Sequence, residues 1–234
     1  SAVVIVATVR ALKLHGGVKK DALAEENVSA VRKGFANLQK HIENMHLYGL
    51  PVIVAINRFY QDTAEELDCI RTACEEMGVQ AVVTDLFAEG GKGGEALARA
   101  LTELLDREES RYAPVYALSL SVKEKIEAIS RKIYGAAGVA YTPKAEKAIA
   151  AFEAAGYGNL PVCMAKTQYS LSDDPALTGR PENFTLHVRE VKLSAGAGFL
   201  VVQTGDIMSM PGLPKEPAAN RLDIYESGEI VGLF

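Results

Sequence analysis

Tryptophan is absent from this 234-residue sequence, cysteine occurs three times and histidine four times. Cys69, Cys74 and Cys163 have neither a metal nor a redox spacing and leave an odd count, which speaks against a disulfide framework and for free thiols in a reducing cytosol. A basic excess is missing as well. Lys and Arg number 25 against 30 Asp and Glu, a formal net charge of -5 with a pI near 5.5. That balance removes the electrostatic footprint of a nucleic-acid surface. No apolar run approaches the roughly 18 residues of a membrane helix, and no signal peptide is visible. The expectation is a soluble, cytoplasmic protein that binds neither nucleic acid nor membrane. An initiator methionine is also missing, and the chain opens two residues before a buried-strand pattern, Val3–Val9. Such a start is expected of a fragment of something longer.

What is present is an ordinary globular composition, 48% hydrophobic and 24% charged. Its organising stretch is Pro51–Phe59, PVIVAINRF. An apolar, β-branched run without polar alternation reads as a strand buried on both faces, as in a parallel sheet covered by helices. Ligands of open α/β sheets sit outside the carboxyl ends of the strands, and there this strand places Asn57, Arg58 and Phe59.

Around it the pattern alternates. A strand is predicted at Ala2–Val9, a polar loop at Arg10–Asn27, and a helix at Val28–Tyr48 closed by Gly49. Thr63-Ala-Glu-Glu66 is a capping box that opens a helix to Met77, before a strand at Gln80–Leu86. Glu95–Asp106 is helical by period. Ser121-Val-Lys-Glu124 is a second capping box, for a helix to Tyr134, and Thr142-Pro143 opens another that ends at Gly156. Pro161–Lys166 is a fourth buried strand. Phe184–Leu193 and Gly198–Thr204 read as antiparallel strands, and Met210–Ala219 as a Pro-rich loop. The fold class predicted is α/β: a mostly parallel sheet with helices on both faces, plus a few antiparallel strands near the C-terminus.

Four parallel strands would open onto one edge. The first brings Thr8 and Arg10, with Lys13 and His15 just beyond; the second Asn57, Arg58 and Phe59; the third Thr84, Asp85 and Phe87; the fourth Lys166, Thr167 and Gln168. Cations, amides and two rings in one cleft suit a flat heteroaromatic ligand with anionic groups, the rings stacking and the cations meeting carboxylate or phosphate. Asn57, Arg58, Phe59 and Phe87 are the binding candidates, with Arg10, Lys13, His15 and Lys166 as further cleft candidates.

Other motifs are weaker. Gly90-Gly-Lys-Gly-Gly94 could cradle an anion, but no G-x-x-x-x-G-K-[ST] occurs anywhere, so a loop leading into the next helix is the plainer reading. Gly156-Tyr-Gly158 and Gly196-Ala-Gly198 read as turns. His41 and His46 lie five residues apart on one helix and read as surface residues rather than a metal pair. His187 has no evident partner, and Asp173-Asp174 reads as solvated.

Val6-Ala-Thr-Val-Arg-Ala-Leu-Lys-Leu-His-Gly-Gly17 resembles the signature segment of the formate–tetrahydrofolate ligases. The similarity continues through LPVIVAINRF (50–59), YGNLPVCMAKTQYS (157–170), GRPENFTLHVRE (179–190) and MPGLPKEPAA (210–219). The family is more than twice this long and carries a phosphate-binding loop and its catalytic residues in an N-terminal domain. The resemblance therefore implies a C-terminal portion, with residues 1–49 the last strand and helix of the preceding nucleotide-binding domain and 50–234 the C-terminal α/β domain. It implies ATP with Mg, bound mainly by the N-terminal part, tetrahydrofolate as substrate, a monovalent cation, and assembly as a tetramer. It implies that formate attacks the γ-phosphate of ATP and that N10 of tetrahydrofolate then attacks formyl phosphate, with no catalytic residue in this portion. And it implies an aromatic clamp at Phe59 and Phe87, the latter standing where many members carry tryptophan. The alternative is a non-catalytic fragment or assembly module; a weaker third reading is a self-contained nucleotide-dependent enzyme using Gly90–Gly94.

Overall fold

Thr8 ends a strand and starts a helix in one step, its hydroxyl accepting the Ala11 N–H at 3.1 Å. The computed structural model describes residues 1–205, 215–228 and 230–232. The first half of the chain runs β1 (Val3–Ala7), α1 (Val9–His15), α2 (Val28–Leu47), β2 (Val52–Asn57), α3 (Ala64–Glu76), β3 (Gln80–Thr84), the short α4 (Leu86–Glu89) and α5 (Glu95–Arg107). Its three strands form one parallel sheet in the order β1-β2-β3. The registers Ile5↔Val54 and Val54↔Ala81 line up the three carboxyl ends.

β2 is central and buried on both faces, as its unbroken apolar run requires. Alternate residues face opposite ways along a strand. Val52, Val54 and Ile56 join Val31, Phe35 and Ile42 of α2 and Leu67 and Ile70 of α3 in one core, while Ile53 turns the other way, onto Ala100 and Leu104 of α5. Helices thus cover both faces. Both predicted capping boxes are formed, Thr63 with Glu66 and Ser121 with Glu124, and Gly49 and Gly78 end their helices at φ 69° and 71°. The predicted loop after residue 9 instead holds α1 and a 3-10 turn at Lys20–Ala22. α1 lies so close to α2 that a Cβ at Gly34 would stand 1.9 Å from the Leu12 carbonyl oxygen, so glycine is required there.

The second half contains α6 (Val122–Ile129), β4 (Gly138–Tyr141), α7 (Pro143–Ala154), β5 (Val162–Ala165), β6 (Thr185–Ser194), β7 (Phe199–Thr204) and the short pair β8 (Asp223–Ile224) and β9 (Ile230–Val231). Here the expectation of one four-stranded edge fails. β5 is the edge of a separate sheet ordered β4-β6-β7-β5, in which it runs parallel to β7. Apolar patterning identified β5 as a strand, but its partner lies some 40 positions later in the chain, beyond what a local pattern specifies. β6 and β7 are antiparallel, as predicted; β4, parallel to β6, was not foreseen. Val122, Ile126, Ile149, Val188, Leu200 and Val202 build this half's own core. Most of the Pro-rich stretch Met210–Ala219 lies outside the described residues.

Polar side chains of α2 join the two halves. Asn37 Nδ2 donates to the Gly179 carbonyl, Lys40 Nζ to that of Lys132 and Asn44 Nδ2 to that of Ile133, while Arg180 forms a two-pronged pair with Glu43. The division expected at residues 49/50 falls between β1 and β2, hydrogen-bonded neighbours in one sheet. Among the described residues no helix is long and apolar enough to cross a membrane.

Candidate functional site

β2 and β3 are in register to their last residues, Asn57 beside Thr84, so the segments that follow leave the sheet together. The chain after β2 turns immediately: Phe59 N–H donates to Asp62 Oδ2 at 2.9 Å and Asp62 N–H returns to the Phe59 carbonyl at 3.0 Å. Burial pushes the Asp62 carboxyl above its ordinary value, and the Phe59 N–H opposes that shift. The chain after β3 enters α4, which carries Phe87 outward, fully exposed.

Arg58 and Asp85 tie these two segments together. Nε donates to Oδ1 at 2.7 Å and Nη2 lies 2.6 Å from Oδ2, a fork-to-fork arrangement that fixes both planes. Asp85 is seated in turn by Gly93, whose N-terminal neighbourhood folds back so that the Asp85 N–H donates to the Gly93 carbonyl at 3.1 Å. A Cβ on Gly93 would meet the Asp85 carbonyl oxygen at 2.4 Å. The glycine-rich segment Gly90–Gly94 is therefore a compact 3-10 turn packed on the site's own support.

The result is a cleft of about 620 Å³ at the carboxyl end of the parallel sheet, lined by Arg10, Asn57, Arg58, Phe59, Tyr60, Asp85, Phe87 and Ala88. The Arg10 guanidinium stands over the Phe59 ring, Cζ 5.4 Å from its centroid, within cation–π range. Two rings, a guanidinium and an amide around an open slot can hold a planar ligand by its faces and orient it by its edge.

The four binding candidates read from the sequence are thus brought together, and Arg10 joins them. Lys13, His15 and Lys166 do not. Lys13 is 1% exposed and its ammonium meets Glu66 Oε1 at 2.6 Å and the carbonyls of Leu23 and Glu25. His15 faces a neighbouring cavity, its Nδ1 accepting the Gly179 N–H at 3.0 Å. Lys166 stands at the end of β5 in the other sheet, donating to the carbonyls of Thr167, Ser170 and Ser172, and burial pushes its pKa down to about 8. His187 does have a partner: Asp173 Oδ2 lies 2.9 Å from its Nδ1 and accepts its backbone N–H, so Asp173 is not simply solvated. Tyr60 was missed although it follows Phe59 directly; Asp85 was placed at the end of the third strand, but its pairing with Arg58, 27 positions away, was not foreseen.

Among the described residues no group of three or more His, Cys, Asp and Glu could hold a metal ion. A family model described as formate–tetrahydrofolate ligase matches residues 1–234, the whole of the sequence. The signature segment, the strand that ends in Phe59 and the strand that leads to Phe87 all fall within that match, and the chain belongs to the formate–tetrahydrofolate ligase family.

Proposed function

We propose that this chain supplies the folate-binding cleft of a ligase that joins formate to tetrahydrofolate at the expense of ATP, giving 10-formyltetrahydrofolate. The observation that carries the reading is that Phe59 and Phe87 line one cleft, at the mouth of the parallel sheet. Family membership implies tetrahydrofolate and ATP as substrates; a flat pterin is the part of either that two stacking rings and an edge-directed amide suit best. Stacking on an aromatic side chain is worth roughly 1–3 kcal/mol per ring system, by analogy with nucleobases.

In this reading the chain binds and orients. Phe59 and Phe87 hold the pterin faces, Asn57 meets its polar edge, and the Arg58–Asp85 pair sets the separation of the two rings. Formate is activated as formyl phosphate, and N10 of the oriented folate attacks the formyl carbon. Phosphoryl transfer depends on positioning and charge stabilisation, and we assign the ATP phosphates, with their magnesium and any monovalent cation, to a further nucleotide-binding segment. The described residues of this chain offer no metal cluster, and its sequence no phosphate loop. The outer edge of β1, where Val4 and Val6 are exposed, is a natural seat for that segment. Assembly as a tetramer belongs to the same proposal.

The test is titration of tetrahydrofolate against the protein and its Phe59→Ala/Phe87→Ala variant, followed by calorimetry. Loss of most of the affinity in the variant, with unchanged melting, is expected. Equal affinity in both proteins would remove the clamp.

A further inference from the structure

We propose that the glutamate carboxylates of tetrahydrofolate are held outside the aromatic cleft, in a cationic groove that runs along α1 from Arg10 to Lys20 and Lys19. The inference rests on the folate reading of the cleft and extends it to the other end of the ligand.

Three cavities share walls. Arg10 and Phe59 line the aromatic cleft and also a second cavity of about 390 Å³, so the Phe59 ring is a partition between the two. Ala11, Leu14 and Lys20 line that second cavity and recur in a third, of about 810 Å³, whose wall adds Lys19 and, across from α1, Tyr169. Ala11 and Leu14 are three apart on α1 and therefore share one face. A small and an apolar side chain make a floor for the aryl-amide body of a folate, which carries no charge of its own.

The charges decide which ligand group belongs there. No Asp or Glu lines the second or the third cavity. Within the cleft the Arg58 guanidinium is already occupied by Asp85. Lys19 and Lys20 are exposed and form no ion pair among the described residues. Arg10, on the wall shared with the cleft, also forms no ion pair among the described residues, and the other uncommitted cations, Lys19 and Lys20, lie outward along the groove, where a ligand clamped by its ring in the cleft would direct its opposite end. His15 adds a hydrogen-bond donor rather than a charge. Burial, reinforced by nearby His41, holds its pKa below the ordinary value, and because Nδ1 accepts the Gly179 N–H, the neutral ring carries its proton on Nε2. Two carboxylates facing Lys19, Lys20 and an imidazole N–H are well matched, since charge-assisted hydrogen bonds are the strong ones.

The experiment compares two ligands in the full-length ligase: tetrahydrofolate, and tetrahydropteroate, which has the same ring system and aryl group but no glutamate. In the Lys19→Ala/Lys20→Ala variant the affinity for tetrahydrofolate is expected to fall about three- to tenfold, in keeping with exposed charge pairs. Affinity for tetrahydropteroate should stay as in the parent, and the tetrahydrofolate affinity of the variant should lose most of its salt dependence. An equal effect on both ligands, or none on either, overturns the proposal. Phe59→Ala separates the two readings. If it weakens both ligands while the lysine variant weakens neither, the groove alone is wrong; if it weakens neither, the clamp reading fails and the groove with it.

Discussion

Lys13 and Glu66 form an ion pair that water does not reach: Nζ and Oε1 stand 2.6 Å apart with the side chains 1% and 0% exposed. The same carboxylate accepts the Asn27 N–H at 2.7 Å and, through its other oxygen, the Thr63 N–H. One glutamate therefore fastens α1, the start of α2 and the cap of α3, which fixes the helix that carries Arg10. Removing one partner of a buried pair leaves an uncompensated charge, at a cost of about 3–5 kcal/mol. Lys13→Met and Glu66→Gln are each expected to lose stability on that scale in urea unfolding. The double variant should lose less than the two single losses added together.

Phe87→Trp should tighten tetrahydrofolate binding, because a larger ring adds stacked area on a side chain that is fully exposed and has no packing to disturb. In the ligase proposed above, Phe59→Ala should raise the KM for tetrahydrofolate before it alters the KM for ATP. Steady-state kinetics with each substrate varied in turn check both; equal changes in the two KM values would mean that the ring does not serve the folate.

Asp85→Ala should act on binding more than on folding. The Arg58–Asp85 pair is partly exposed, so its direct contribution to stability is about 0.2–1 kcal/mol. Its removal frees the turn bearing Phe59 from the turn bearing Phe87. The expected result is a higher KM for tetrahydrofolate with a melting temperature within a few degrees of the parent. Gly93→Ala should do the reverse of a mild change, since its new methyl group collides with the Asp85 backbone; loss of both stability and affinity is expected.

Cys74 is fully buried, and that burial pushes its thiol up to about 12. The thiolate is the reactive form, and raising the pKa depletes it at every pH below that value. Alkylation of the native protein at pH 8 should therefore modify exposed Cys163 first and half-buried Cys69 more slowly, and reach Cys74 only after denaturation. Peptide mapping by mass spectrometry would reveal early modification of Cys74 if it occurs.

ADP release in a coupled assay is expected to be absent when this chain is mixed with ATP, formate and tetrahydrofolate, because its sequence has no loop of the kind that grips the phosphates. Turnover above background would contradict that assignment.

How much of this was readable in the residues follows from how far each interaction reaches along the chain. Capping boxes span three positions, so Thr63–Glu66 and Ser121–Glu124 were legible outright, as was the doubly buried run of β2. The seven-residue α1 was not, because Val-Arg-Ala-Leu-Lys-Leu-His offers too few turns for a period to emerge. Lys13 was misread for a different reason: a lysine is normally sought at the surface, and its burial depends on a glutamate 53 positions away. Phe59 and Phe87 were found because each lies within three residues of a strand's carboxyl end, whereas the assignment of β5 to a second sheet depended on partners that local pattern does not name.

The row of α2 side chains that reaches across to residues 132, 133, 179 and 180 has a consequence for how the molecule comes apart. Each lobe keeps its own oil, and what spans the seam is directional and polar, a set of mostly buried latches rather than a shared apolar interior. Guanidinium should thus unfasten the seam before either lobe melts, leaving two ordered bodies on one thread, with the aromatic cleft whole because every residue lining it belongs to the first of them.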